Sequence, residues 1–218
     1  TPFRMPLVTA KSKGEAAWSY IGPSVVPTTI DDGLPVGMGR IDAIAFHPAD
    51  SNIFWVGSPT GGLWKTTDNA VTWTCLTHDI PVIGIGDIAV NPENPDIIYM
   101  GTGDRDAADL DGVGVLKTTD GGLTWQTTGL SYDMSAKITV NRLLMWPGNP
   151  DTLLAGADNG IHRSTDGGVT WNQVLTGVNI KDMEFRTDNP MQILATSYGT
   201  ARVYKSTDGG VSFALSST

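Results

Sequence analysis

Short apolar runs recur along this chain, and each is halted by a turn signal. Residues 41–46 stop at His47-Pro48, residues 85–90 at Asn91-Pro92, and residues 140–146 at Pro147. Residues 180–185 run to the corner Asp188-Asn189-Pro190. Runs of this length, bounded by Pro, Gly, Asn or Asp, predict strands. A second strand follows each one, at residues 53–57, 97–101, 152–155 and 192–196. A third runs into an aspartate-containing turn. A short fourth follows that turn, at residues 74–77, 126–130, 172–175 and 214–217. Four short strands per unit of roughly 45 residues predict the blade of a β-propeller. The expected fold is therefore all-β, with four-stranded antiparallel blades over residues 38–80, 81–134, 135–177 and 178–218.

The turn is the best-preserved part of the unit. Its second copy reads Lys117-Thr118-Thr119-Asp120-Gly121-Gly122-Leu123-Thr124-Trp125. Asp68, Asp166 and Asp208 head the equivalent turns, and the aromatic positions are Trp73, Trp171 and Phe213. A short carboxylate in a turn accepts hydrogen bonds from nearby backbone N–H groups and fixes its shape. The Gly-Gly pair supplies positions where positive φ costs little, and the aromatic offers a large apolar face for packing. In the first copy Asn69-Ala70 replaces Gly-Gly, and Asn tolerates the left-handed region. The eight residues Asp68, Trp73, Asp120, Trp125, Asp166, Trp171, Asp208 and Phe213 are accordingly read as structural.

Measured against these aspartates, one unit is too long. Proline corner to aspartate is 20 residues in the first unit and 19 in the third, but 28 in the second. The excess falls at residues 103–112, between strands two and three. Insertions on one rim of a repeat protein are where function usually sits. Asp104, Asp106, Asp109 and Asp111 in this loop are candidate ligands for Ca²⁺, a hard cation that takes several oxygens. Their spacing is not that of an EF-hand loop, and the competing reading is a solvated acidic loop. Arg105 and Trp64, which begins strand three of the first unit, are candidate ligand-binding residues. Trp64 is also suited to packing between blades.

Residues 1–37 form an N-terminal arm, containing a strand at about residues 16–23 that is a candidate to complete a closing blade. The chain opens at Thr1 with no basic and apolar leader, as a processed product or an excised piece would.

Composition narrows the function. A net charge of −9 opposes a nucleic-acid surface, which needs a basic stripe, and opposes docking on an anionic membrane. No apolar run approaches the ~18–20 residues that span a bilayer. The single cysteine, Cys75, excludes an intrachain disulfide. His47, His78 and His162 lie at unrelated places in the repeats and form no metal or triad spacing.

The pattern Ser/Thr-x-Asp-x-Gly-x-Thr/Ser-Trp/Phe resembles the Asp-box, or bacterial neuraminidase repeat, over roughly residues 38–218. Sialidases, xyloglucan-cleaving endoglucanases, the sortilin receptor family and a photosystem II assembly factor share it. The stretches Gly39–Pro48 and Gly61–Lys65 look like the first blade of the sortilin/xyloglucanase-like group of secreted bacterial surface proteins. Xyloglucanases carry a catalytic Asp just before the Gly-Gly pair of that blade. Here Pro59 or Thr60 stands in that place, and neither transfers protons. The tetrapeptide Phe3-Arg4-Met5-Pro6 is similar to the sialidase Phe/Tyr-Arg-Ile-Pro motif, but a polar, loop-like stretch follows it. Asp-box propellers usually have six or more blades, so the resemblance implies that these four belong to a ring of about seven.

The expectation is a non-catalytic module of a secreted or cell-surface bacterial protein. It would present its rim to a glycan or protein, with further blades or domains of the same polypeptide as neighbours. It would bind no nucleic acid and enter no membrane directly. No catalytic residue is assigned. The alternative is a glycoside hydrolase, xyloglucanase-like or less plausibly a sialidase, with part of its carboxylate pair outside this chain.

Overall fold

The computed structural model of the protein describes residues 40–80, 84–106 and 110–216. All of them belong to the compact unit Gly39–Thr218. The expected arm, including its strand at 16–23 and the tetrapeptide at residues 3–6, lies outside the described residues, as does Asp109.

The described residues form sixteen strands in four antiparallel sheets of four, each in sequence order. Blade 1 holds β1 (Ala43–Phe46), β2 (Phe54–Ser58), β3 (Gly62–Thr66) and β4 (Thr74–Cys75). Blade 2 holds β5 (Ile85–Val90), β6 (Ile98–Thr102), β7 (Gly114–Thr118) and β8 (Gln126–Ser131). Blade 3 holds β9 (Val140–Met145), β10 (Leu153–Ala157), β11 (Gly160–Ser164) and β12 (Asn172–Thr176). Blade 4 holds β13 (Ile180–Arg186), β14 (Asn189–Ser197), β15 (Val203–Ser206) and β16 (Ala214–Leu215). The first strands β1, β5, β9 and β13 lie side by side in succession, so they line the propeller axis.

Corners and turns hold by short-range bonds. Asn91 Oδ1 accepts from the N–H groups of Glu93 and Asn94, and His47 Nδ1 accepts from those of Ala49 and Asp50. The fourth corner differs from expectation. Arg186 pairs with Asn189 across a bulge, and β14 runs through Pro190. A strand tolerates proline at such a bulge because no ladder hydrogen bond is required there.

In the aspartate turns, Asp166 accepts hydrogen bonds from Ser164 Oγ (2.8 Å), the Thr170 N–H (2.9 Å) and Thr170 Oγ1 (2.6 Å). Ser164 Oγ accepts in turn from the Gly168 N–H at 3.0 Å. The other three turns repeat this set around Asp68, Asp120 and Asp208. Asn69 and Ala70 both sit at positive φ, so the first turn keeps its shape without glycine. Hydrogen bonds led by those from Thr170 hold the Asp166 carboxyl down at about 2, and those from Ser212 do the same for Asp208, also about 2. A depressed carboxylate contributes stability above its ordinary value, and this is lost as pH falls through the folded value. Asp166→Asn is therefore expected to flatten the loss of stability between about pH 4 and pH 2, read from urea midpoints across that range.

The core is three apolar clusters, one between each successive pair of blades. The first centres on Trp55, Leu63, Ile85 and Met100, the second on Tyr99, Val140 and Leu153, and the third on Leu154, Ile161, Ile180 and Ile193. The strand register shows which side each residue serves. Ile44, Ile88, Leu143 and Met183 occupy equivalent positions facing the preceding blade. The last three are buried, while Ile44 is 60% exposed. Trp55, Tyr99, Leu154 and Leu194 are equivalent positions facing the following blade; the first three are buried and Leu194 is 50% exposed. The outward faces of blades 1 and 4 thus carry interior-type side chains.

Candidate functional site at the channel mouth

The long β6–β7 loop rises at the end of the channel where the inner strands begin, next to Gly84, whose carbonyl accepts from the Gly103 N–H at 2.8 Å. Asp104 starts the loop. Its carboxylate accepts from the Asp106 N–H (3.0 Å), shaping a local turn, and it forms an ion pair with Arg40 Nη2. Arg40 Nε also pairs with Asp42 at 2.9 Å. Further along, Asp106 approaches Lys181 Nζ of blade 4 at 3.9 Å. One insertion from blade 2 therefore reaches residues preceding blade 1 and a residue of blade 4.

Deeper in the channel lies a second charged group. Ala43, Asp87, Arg142 and Asp182 occupy one register position on β1, β5, β9 and β13. Asp87 is buried and accepts from the Leu143 N–H at 2.7 Å and from Arg142 Nη1 at 3.4 Å. Arg142 continues to the next blade, donating to the Met183 carbonyl (3.1 Å) and to Glu184 (2.7 Å), with Asp182 at 3.2 Å. These residues pin three blades together across the axis.

Two carboxyls stand above their ordinary range. Burial pushes Asp87 up, against the pull of Arg142 and the Leu143 N–H. Burial likewise raises Asp42, against the pull of Arg40. The Asp42 side chain is 1% exposed, and its Oδ2 is buried with no hydrogen-bond partner among the described residues. A carboxyl held toward its neutral form is suited to donate a proton or a hydrogen bond.

The sequence-predicted residues meet this site unevenly. Asp104 and Asp106 lie in it and face Arg40 and Lys181. Arg105 is half-buried and acts on Asp87 through its charge. Among the described residues no three His, Cys, Asp or Glu side chains gather to hold a metal ion, and Asp111 joins no such group. Trp64 lies on β3 of blade 1. It occupies the register position of Leu116, His162 and Tyr204, all buried, and is itself 36% exposed. Its Nε1 donates to the Gly61 carbonyl at 2.8 Å. Pro59 and Thr60 occupy the β2–β3 turn. Sequence reasoning missed Arg40, Asp42, Asp87, Arg142 and Lys181. Aligning the inner strands would have exposed Asp87 and Arg142, since they share one register position with Asp182.

Fold and site define a β-propeller with charged residues gathered at one end of its inner strands. No protein-family model matches the chain. It is 28% identical to a xyloglucanase of Paenibacillus over 59% of its own length and 14% of that protein's. In three dimensions it is similar to the GH74 xyloglucanase of Xanthomonas campestris, with TM-score 0.63, 23% identity, and coverage of 81% of this chain and 30% of that one. It is also similar to YCF48 bound to D1 peptide, with TM-score 0.61 and 16% identity, over 99% of this chain and 61% of that one. At these identities the structural likeness establishes the propeller. The chain spans a minor part of its xyloglucanase relatives. Among the described residues no helix is long and apolar enough to cross a membrane.

Proposed function

We propose that this chain is a non-catalytic Asp-box propeller module of a secreted or cell-surface bacterial protein, and that it binds a glycan at the loop-covered channel mouth. The observation that carries the proposal is the engagement of the mouth carboxylates. Asp104 and Asp106 each face a cation, so the loop is braced as a platform rather than left as a free acid–base pair. Pro59 and Thr60, where the resemblance places a catalytic aspartate, support the same reading. The xyloglucanase relatives make branched β-glucan oligosaccharides the first ligands to test. Calorimetry is expected to detect their binding without release of reducing ends, and Arg40→Ala is expected to weaken it about tenfold, or ~1.4 kcal/mol. Absence of binding to any xyloglucan oligosaccharide would remove the glycan from the proposal. Millimolar Ca²⁺ is expected to leave the melting temperature unchanged. A rise abolished by Asp106→Ala would instead establish a metal in the loop.

One observation favours a hydrolase as the second reading. Asp42 is a buried carboxyl, raised by its surroundings and with one oxygen unpartnered, which is the state of a general acid. Its partner would lie in blades beyond these four. Hydrolysis of a xyloglucan oligosaccharide by the longer polypeptide, abolished by Asp42→Asn, would establish that reading over the first.

A further inference from the structure

Two interfaces between blades are fastened by the same kind of bond, and the first is not. Between blades 2 and 3 the Gly167 carbonyl accepts from Lys117 Nζ and from Tyr99 Oη, each at 3.0 Å. Between blades 3 and 4 the Gly209 carbonyl accepts from Arg163 Nε at 3.3 Å. The register gives Lys65 the place of Lys117 and Arg163, and gives Trp55 the place of Tyr99. Their acceptor between blades 1 and 2 would be the Gly121 carbonyl, yet neither donor reaches it. Lys65 Nζ lies over the Trp55 ring, 5.2 Å from its centroid, and makes no hydrogen bond or ion pair with the described residues. Trp55 is 1% exposed, and its Nε1 is buried without a hydrogen-bond partner among them. The Gly121 carbonyl accepts from none of them either. A groove of about 300 Å³ remains between the two blades, with Lys65 and Gly121 on its walls.

The lining selects the kind of molecule that fits. Lys65 is its cation, and Asp96 and Asp120 are its acids. Hydrogen bonds led by that of Thr118 hold the Asp120 carboxyl well below the ordinary range, so it stays charged. Asp96 is exposed, and its carboxylate has no partner among the described residues. An anion would meet two carboxylates, and a cation would meet the ammonium. A neutral polyol avoids both conflicts. Each of its hydroxyls donates one hydrogen bond and accepts others. It can donate to Asp96 and to the Gly121 carbonyl while accepting from Lys65. Leu76 and Leu123 add apolar surface for its C–H groups. The volume stands at the lower end of the roughly 300–1,000 Å³ of small-molecule pockets, which suits a mono- or disaccharide.

We infer that the groove between blades 1 and 2 is a binding site for a short neutral saccharide, held by Lys65, Asp96 and the Gly121 carbonyl. Both walls are blades of this chain. The groove lies at the aspartate-turn ends of the strands, whereas the channel mouth lies where the inner strands begin. The two sites are therefore separate, and this one stands whether or not the mouth binds a glycan.

The test is an NMR titration of the isotope-labelled 218-residue chain with xylose, glucose, galactose and cellobiose. At least one of these is expected to shift the amides of Thr74, Leu76, Gly121 and Leu123 saturably, with a dissociation constant on the order of 1 mM. The amides of Gly167 and Gly209, where the interblade bond is made, are expected to stay still. Those of Asp104 and Asp106 report the mouth independently. Asp96→Ala and Lys65→Ala, both at solvent-accessible positions, are each expected to weaken the groove binding about tenfold. Three results would overturn the inference: no saturable shift in the groove with any of the four sugars, affinity unchanged in both variants, or saturation by glycine and by no sugar, which would give the groove to a zwitterion.

Discussion

Replacing Arg142 by alanine is expected to destabilise the protein by about 3–5 kcal/mol at neutral pH, because it leaves a buried carboxylate unpaired. Asp87 is the group left behind. It is 5% exposed and would keep only backbone N–H donors, among them Leu143 at 2.7 Å. Burial already raises this carboxyl, so loss of the guanidinium raises it further. The sign of the pH dependence follows. A carboxyl raised in the folded state contributes stability that is complete below its unfolded value, and this is lost as pH rises through the folded value. Arg142→Ala is therefore expected to regain stability as pH falls from 7 toward the ordinary carboxylate range. The double variant Arg142→Met with Asp87→Asn is expected to recover much of the loss at pH 7, since no buried charge then remains. Urea unfolding at pH 5 and pH 7 for the three proteins checks both statements. Equal losses in Arg142→Ala at the two pH values would show that Arg142 acts through packing alone.

Leu154→Ala is expected to cost about 2–5 kcal/mol, the usual range for a leucine deleted from a packed interior. Leu154 is fully buried among Ile161, Ile180, Met183 and Ile193, between blades 3 and 4. Its register equivalent, Leu194, is half exposed, so Leu194→Ala is expected to cost less than about 1 kcal/mol in the 218-residue chain. The two residues are chemically identical and hold the same place in their blades. A difference in their effects measures what a neighbouring blade contributes. Similar effects would mean that Leu154 contributes through its own sheet instead of the interface.

Most of the fold was legible because its signals are local. An aspartate turn closes within a few residues: Asp120 receives Thr118 two positions before it and Thr124 four positions after it. Every copy could therefore be recognised without knowing what surrounds it. The fourth corner was misread for the same local reason. Asp188-Asn189-Pro190 looks like the other stops, but pairing of Arg186 with Asn189 carries the strand through Pro190.

The site was much less legible. The loop at residues 103–112 was visible as excess length, with its acidic residues open to two readings, Ca²⁺ ligands or a solvated acidic loop. The ion pairs of the site were not visible, with Arg40 and Asp104 separated by 64 residues and Arg142 and Asp87 by 55. Spacing within one segment carries no information about such pairs. Trp64 shows the same limit. Its size and position in strand three were plain, but only the register shows that it holds the place which Leu116, His162 and Tyr204, all buried, hold in the other blades.

By itself the sequence determined the repeat, the four-stranded unit, the aspartate turn and the location of the insertion. Each depends on contacts between residues close along the chain, where residue type and spacing suffice. The tertiary structure alone decided which charges meet at the channel mouth, which apolar residues face a neighbour, and which two faces no other described residue covers. Those outcomes depend on how whole blades stack about an axis, and stacking joins residues that no periodicity connects.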